Sequence, residues 1–193
     1  MRAPTRILVV AAALSLAACG VQSIPQGENA VSAAWAEVQN QYQRRADLVP
    51  NLVETVKGAA AHEKDTLEAV IAARAKATQI QLSVDQLTPE NMKKFEEAQA
   101  GLKTALGRLM AVAESYPQIR ANQNFQDLQV QLEGTENRIG VARRRYIEEI
   151  RKFNDLVTVP PTSWTNALLY HKQPKAQFAA TTPGAEKAPQ VKF

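Results

Sequence analysis

Apolar residues recur in this chain at steps of three and four from Val31 to Phe153, a period that suits helices and no other regular element. Four runs carry it. The first is Val31, Trp35, Val38 and Tyr42; the second is Val49, Leu52, Val56 and Ala60, broken at Glu63 and resumed at Leu67 and Val70. The third runs Met92, Phe95, Gln99, Leu102, Leu106, Leu109, Ala113, Tyr116. The fourth runs Phe125, Leu128, Leu132, Thr135, Ile139, Ala142, Tyr146, Glu149, Phe153. Each is a narrow stripe down one face, as in helices that meet along a seam. No segment alternates apolar and polar residues as a strand would. A chain of 193 residues has room for one core of ordinary size. The expected fold is all-α, an antiparallel up-and-down four-helix bundle over residues 28–157, since short connections make long neighbouring helices antiparallel.

The boundaries come from punctuation. Thr88-Pro89-Glu90 sets a cap, a first-turn proline and an acid at a helix start. Ser115-Tyr116-Pro117 ends the third stripe, because the residue before proline is pushed out of the α region. Around Pro50 two readings stand. Asp47 can cap a fresh helix with Pro50 in its first turn, where a missing N–H costs nothing, and this reading is favoured. The alternative has three long helices, the first continuing through Arg45 and kinked at Pro50. Gly58, Gly101, Gly107, Gly134 and Gly140 fall inside these helices at up to about 1 kcal/mol each against Ala, and close helix approach is the expected compensation. Pro160 to Phe193 holds five of the ten prolines, so residues 158–193 read as a largely flexible tail, mobile beyond Pro174. Within it Trp164 to Tyr170 is an apolar patch able to fold back on the bundle.

The start of the chain is an address. Arg2 and Arg6 precede an apolar run from Ile7 to Leu16 that is too short to span a bilayer by itself, as in a secretory signal peptide over residues 1–18. Leu16-Ala17-Ala18-Cys19 resembles the lipobox of bacterial lipoproteins. That resemblance implies a diacylglyceryl group on Cys19, cleavage before it, and acylation of the new amino terminus by palmitate-like chains. Ordinary signal cleavage or an uncleaved anchor are the alternatives. One acyl chain binds a membrane marginally, and two or three hold it essentially permanently. Residues 19–27 then read as a lipidated linker. In a Gram-negative host, Gly20 in place of Asp favours the outer membrane.

The remaining composition removes chemistries. The sole cysteine, Cys19, excludes a disulfide framework. The formal charge of +4 loses two with Arg2 and Arg6, too little to suggest a nucleic-acid partner. His62-Glu63 is followed by Thr66 where a zinc-protease helix needs its second histidine, and neither His62 nor His171 completes a Glu-x-x-His pair. No Gly-x-Ser-x-Gly and no phosphate-binding glycine loop occurs. No cofactor, metal or catalytic residue is expected. Arg143-Arg144-Arg145, followed by Glu148, Glu149, Arg151 and Lys152, reads as a solvated face of alternating charge, with contact to anionic headgroups or lipopolysaccharide as the sharper alternative.

The densest stretch is Arg44-Arg45-Ala46-Asp47-Leu48-Val49-Pro50-Asn51-Leu52-Val53-Glu54-Thr55-Val56-Lys57-Gly58, then His62-Glu63. With Thr66 to Val70, Ala73-Arg74, Glu114 to Asn122, and Phe125 through Thr135-Glu136-Asn137-Arg138-Ile139 to Ala142-Arg143 and Tyr146, it resembles the LemA family across about residues 28–157. The resemblance implies an antiparallel helical bundle displayed from a bacterial membrane, with no established enzymatic activity. Its polar positions here are Arg44, Asp47, Asn51, Lys57, Arg120, Asn122, Glu136, Asn137 and Arg143. With His62 and Glu63 they are candidates for an interaction site, or else caps and inter-helix hydrogen bonds. The expected protein is a membrane-anchored lipoprotein facing the periplasm, a non-enzymatic binding or scaffold module for envelope proteins or polymers. The alternative is an enzyme, or an accessory of a membrane protease, using residues 44–63.

Overall fold

The computed structural model describes residues 3–178, with side chains from Val21 to Phe178. The expectations for the leader and for the acyl group on Cys19, and for the tail beyond Phe178, lie outside the described side chains or residues. The fold is all-α, with no strand among the described residues. Its helices are α1 (Ala3–Lys57), α2 (Lys64–Gln79), α3 (Pro89–Ser115), the short α4 (Pro117–Arg120), α5 (Gln123–Thr158) and the short α6 (Thr162–Thr165), followed by a π-type turn, Asn166–Tyr170.

Contacts across the seams give the directions. Arg45 of α1 meets Glu136 of α5, and Trp35 meets Tyr146, so α1 and α5 are antiparallel. Gln99 of α3 reaches the Ala77 carbonyl of α2, while Tyr116, just past α3, reaches Glu63, just before α2; that hairpin is antiparallel too. The stripes read from the sequence are the buried faces: Val31, Val49, Leu52, Val56, Leu102, Leu109, Tyr146 and Phe153 are all solvent-free. The start of α3 is capped as expected, the Thr88 hydroxyl accepting from Asn91 N, and Asn122 caps α5 by accepting from Asn124 N and Phe125 N.

The helix boundary expected at Asp47 is absent. α1 continues through Pro50 and ends at Lys57, and the break falls at 58–63, where Gly58 lowers helix propensity and Ala60 turns into the core. Continuity through a proline leaves the carbonyl four residues back without its helical donor. For Pro50 that carbonyl is Ala46 O, and Arg74 of α2 donates to it through Nε at 2.8 Å. The same device recurs at Pro25, whose orphaned partner is Val21 O; the Tyr170 hydroxyl donates to it at 2.6 Å. Side chains from distant segments thus supply the two hydrogen bonds that the prolines remove.

Three further expectations are corrected. Residues 21–27 are helix rather than linker, and Ile24 is fully buried. The bundle does not stop at 157. Asn154 exchanges hydrogen bonds with the Lys175 backbone, Tyr146 donates to Ala176 O, and Phe178 stacks among Trp35 and Tyr146, so the chain from Pro160 to Phe178 is strapped along α5 and α1. A run of proline, threonine and glutamine folds back here because the end of α5 offers side-chain partners to its backbone. Finally, a Cβ at Gly101 or Gly107 would meet nothing within 4 Å, and at Gly134 or Gly140 only an arginine of the same helix. These glycines are not close-approach points. Gly27 is: a Cβ there would lie 2.8 Å from Leu156 Cδ1.

Candidate functional site

The core is not continuous. One apolar cluster runs from Ala46 through Leu102 to Leu132, a second from Tyr42 through Phe95 to Ile139. Between them, on α1, α3 and α5, lie Arg45, Gln99 and Thr135-Glu136. The Arg45 guanidinium is 2% exposed and donates through Nη1 to Glu136 Oε1 (2.6 Å) and through Nη2 to Gln99 Oε1 (2.8 Å) and Gln99 O (3.0 Å). Gln99 Nε2 passes the chain on to Ala77 O at 3.1 Å, one of the last-turn carbonyls of α2 that has no helical donor. Glu136 also meets Lys103 at 3.4 Å. A cation taken out of water needs a close counter-charge and hydrogen-bond acceptors, and this layer gives Arg45 the first in Glu136 and acceptors for both Nη atoms. Only its Nε finds no acceptor, while the guanidinium lies 5.0 Å from the Tyr42 ring centroid.

Beside this layer a cleft of about 240 Å³ opens between α1, the end of α2 and α3. Gln39, Asn40, Gln43, Thr78 and Gln81 line it, over Tyr42 and Phe95. Its walls carry no acid, lysine or arginine. Burial pushes the Tyr42 phenol above its ordinary value against the opposing pull of Arg143 and Arg45, so it stays a neutral donor. The loop after α2 is clamped here by Trp35 Nε1 and Gln39 Nε2, which both donate to Leu82 O, at 2.6 and 3.2 Å. A second groove, of about 630 Å³, at the far end is lined by Met110, Glu114, Arg120, Phe125, Gln126 and Gln129.

The residues singled out from the sequence do not converge. Glu136 and Arg143 face α1 and α3; Arg143 bonds Glu96 at 3.0 Å and lies 4.2 Å from the Phe178 ring centroid, so it does not belong to a solvated basic face, although Arg144 and Arg145 do. Glu63 accepts from the Tyr116 hydroxyl at 3.1 Å, a bond that holds that phenol above its ordinary value. Asp47 accepts from Gln43 on the outer face of α1, Lys57 faces Glu54 at 3.6 Å, and Asn122 is spent as a cap. Arg44, Asn51, His62, Arg120 and Asn137 are exposed, distributed over the length of the molecule. Among the described residues no group of three His, Cys, Asp or Glu side chains could hold a metal ion, and no helix is long and apolar enough to cross a membrane. Sequence reasoning missed Arg45 and Gln99 as a pair. The signal was there: both occupy stripe positions, Arg45 three past Tyr42 and Gln99 between Phe95 and Leu102, and a polar residue in a seam is buried and needs a partner.

This is the class of all-helical proteins in which a buried polar layer joins helices, here beside a cleft whose lining is uncharged. The family comparison matches residues 34–193, and the chain belongs to the LemA family. The match takes in the C-terminal strap, which the resemblance read from the sequence did not reach. No curated protein matches the chain.

Proposed function

We propose that this LemA-family protein is a non-enzymatic binding or scaffold module, held at a bacterial membrane by lipid on Cys19 and facing the periplasm. The observation that carries the reading is the lining of the cleft between α1, α2 and α3. Amides and a hydroxyl that both donate and accept stand above two aromatic rings, with no charged side chain among them. Such a surface suits an uncharged segment rich in hydroxyl or amide groups, from an envelope protein or polymer, and has no group placed to attack it. The charged residues that a catalyst would use are either consumed in the layer around Arg45 or dispersed over the outer faces.

A photo-crosslinking amino acid placed at Gln43, in intact cells, tests the cleft against the same probe at Val130 on the outer face of α5. Adducts are expected at Gln43 and not at Val130. Equal labelling at the two positions removes the cleft from consideration. Reproducible turnover of hydrolase substrates by the purified protein, abolished by Asn51→Ala or His62→Ala, would instead establish the enzymatic alternative built on residues 44–63.

A further inference from the structure

One end of the bundle carries no charge. From Val21 to Gly27, and again from Leu156 to Tyr170, the sequence holds no Asp, Glu, Lys, Arg or His. The fold brings these two stretches together: α6 packs on both α1 and α5, and the Tyr170 hydroxyl bonds Val21 O. The side chains displayed there are apolar and large. Leu168 is 77% exposed and Trp164 69%, and Leu169, Val159 and Val21 are exposed with them. Large apolar patches of this kind on a water-soluble surface are uncommon and mark something that covers them.

The exposure is built into the fold. Asn166 is buried, donates to Val157 O at 3.3 Å and Lys172 O at 2.9 Å, and accepts from Lys172 N at 2.9 Å. With Ser163 N bonded to Val159 O and Tyr170 tied to α1, the turn that carries Trp164, Leu168 and Leu169 is held closed from both sides.

We propose that this end face lies in the interfacial layer of the lipid bilayer that carries the protein, with Trp164, Leu168 and Leu169 inserted below the headgroups. The proposal rests on the anchorage read at Cys19, which stands two positions before Val21. Charge marks where water begins: the ionised groups that border the apolar face are Glu28 and Lys172, paired at 2.9 Å, with Lys175 at 3.4 Å from the same carboxylate, and the exposed Asp155 of α5 beside Leu156, which packs at Gly27. Val21 and Glu28 are separated by about 10 Å along α1 at the helical rise per residue, matching the depth of about 5–10 Å to which interfacial apolar faces enter. Tryptophan and tyrosine are the side chains that favour this layer, where an apolar ring and a polar edge are both accommodated.

The two tryptophans make the test direct, because Trp35 is buried in the bundle and Trp164 is not. The lipid-bearing protein is extracted from membranes and reconstituted in phosphatidylethanolamine–phosphatidylglycerol vesicles, some with brominated acyl chains. The emission of Trp164 is taken as wild type minus Trp164→Phe. About half of that emission or more is expected to be lost to brominated lipid, with little change for Trp35, and Leu168→Ser with Leu169→Ser is expected to restore most of it. A Trp164 emission untouched by bromine and open to aqueous iodide overturns the proposal. So does one untouched by bromine yet shielded from iodide, which would place a protein surface on the patch. Mass measurement of the Cys19 peptide reads the anchor separately. An acylated Cys19 with unquenched Trp164 removes the docked face alone, and an unmodified Cys19 removes the anchorage.

Discussion

The hydrogen bond from Arg74 to Ala46 O predicts a specific non-additivity. Ala46 is 2% exposed, so its carbonyl has no access to bulk water when Arg74 is removed. A hydrogen bond from a charged donor contributes about 1.5–3 kcal/mol, and a buried acceptor left bare costs about 1–3. Arg74→Met keeps the aliphatic stem and removes the donor, so a loss of about 2 kcal/mol is expected. Pro50→Ala acts on the same carbonyl from the other side by restoring the helical N–H. Pro50 is exposed, so no packing is lost; an interior proline costs about 3 kcal/mol against Ala, part of which Arg74 already offsets and part of which proline recovers by restricting the unfolded chain. A net gain of about 1 kcal/mol is expected. In the Pro50→Ala background Arg74→Met should then cost no more than about 0.5 kcal/mol, a coupling of about 1.5. Urea unfolding of residues 20–193, followed by helical circular dichroism and by Trp35 emission, measures all four corners of the cycle. If Arg74→Met costs the same in the wild-type and the Pro50→Ala backgrounds, the carbonyl is not what Arg74 serves, and the account of how α1 passes through its prolines fails.

Two further outcomes follow from packing and charge. Leu132 is buried in the cluster that holds Leu106 and Met110, but beside a cleft of about 120 Å³ lined in part by Gly107, so Leu132→Ala should cost about 2–3 kcal/mol, the lower part of the range for buried leucines; exposed Arg144→Ala should stay within about 0.5, and equal urea midpoints for the two would show the phase of α5 to be misread. Burial alone would raise the Glu28 carboxyl, but Lys172 and Lys175 outweigh it and hold it below the ordinary carboxylate value, while Lys172 is raised chiefly by its hydrogen bond to Glu28. The stabilisation from Glu28 is therefore complete above its unfolded-state value and is lost as pH falls through the lowered folded one, so the protection of amides over residues 171–178, taken relative to the intrinsic exchange rate at each pH, should fall in acid. Glu28→Gln should abolish that acid step; an unchanged acid response in the variant would put its origin elsewhere.

How much of this was legible in the sequence depended on whether the signal was local. The stripes gave the buried faces of all four long helices almost residue by residue, since Leu, Val and Phe at steps of three and four have one physical explanation. The caps at Thr88 and Asn122 are equally local. Pro50 was misread because a proline ends a helix unless something distant serves the freed carbonyl, and Arg74 gives no hint in sequence that it will. The strap from Pro160 to Phe178 was misread for the same reason. Its composition resembles a flexible tail, and its order comes from Asn154, Tyr146 and Asn166, partners that only the tertiary fold brings near. The candidate site suffered most. Polar residues chosen for their density near Pro50 scattered over the outer faces of α1, whereas the polar layer formed from Arg45, Gln99 and Thr135, which lie in the apolar seams, around Glu136, which was among the candidates.

The two prolines of α1 also set an order of assembly. A chain is made from its amino terminus, so α1 is complete long before its donors exist: Arg74 follows Ala46 by 28 residues, and Tyr170 follows Val21 by 149. The stretch of α1 near Pro50 can close once α2 has been made, as one hairpin. The stretch near Pro25 waits for almost the whole chain. The first helix is thus finished last at its base, and a product terminated anywhere before Tyr170 keeps an open carbonyl beside the very residues that lead to Cys19.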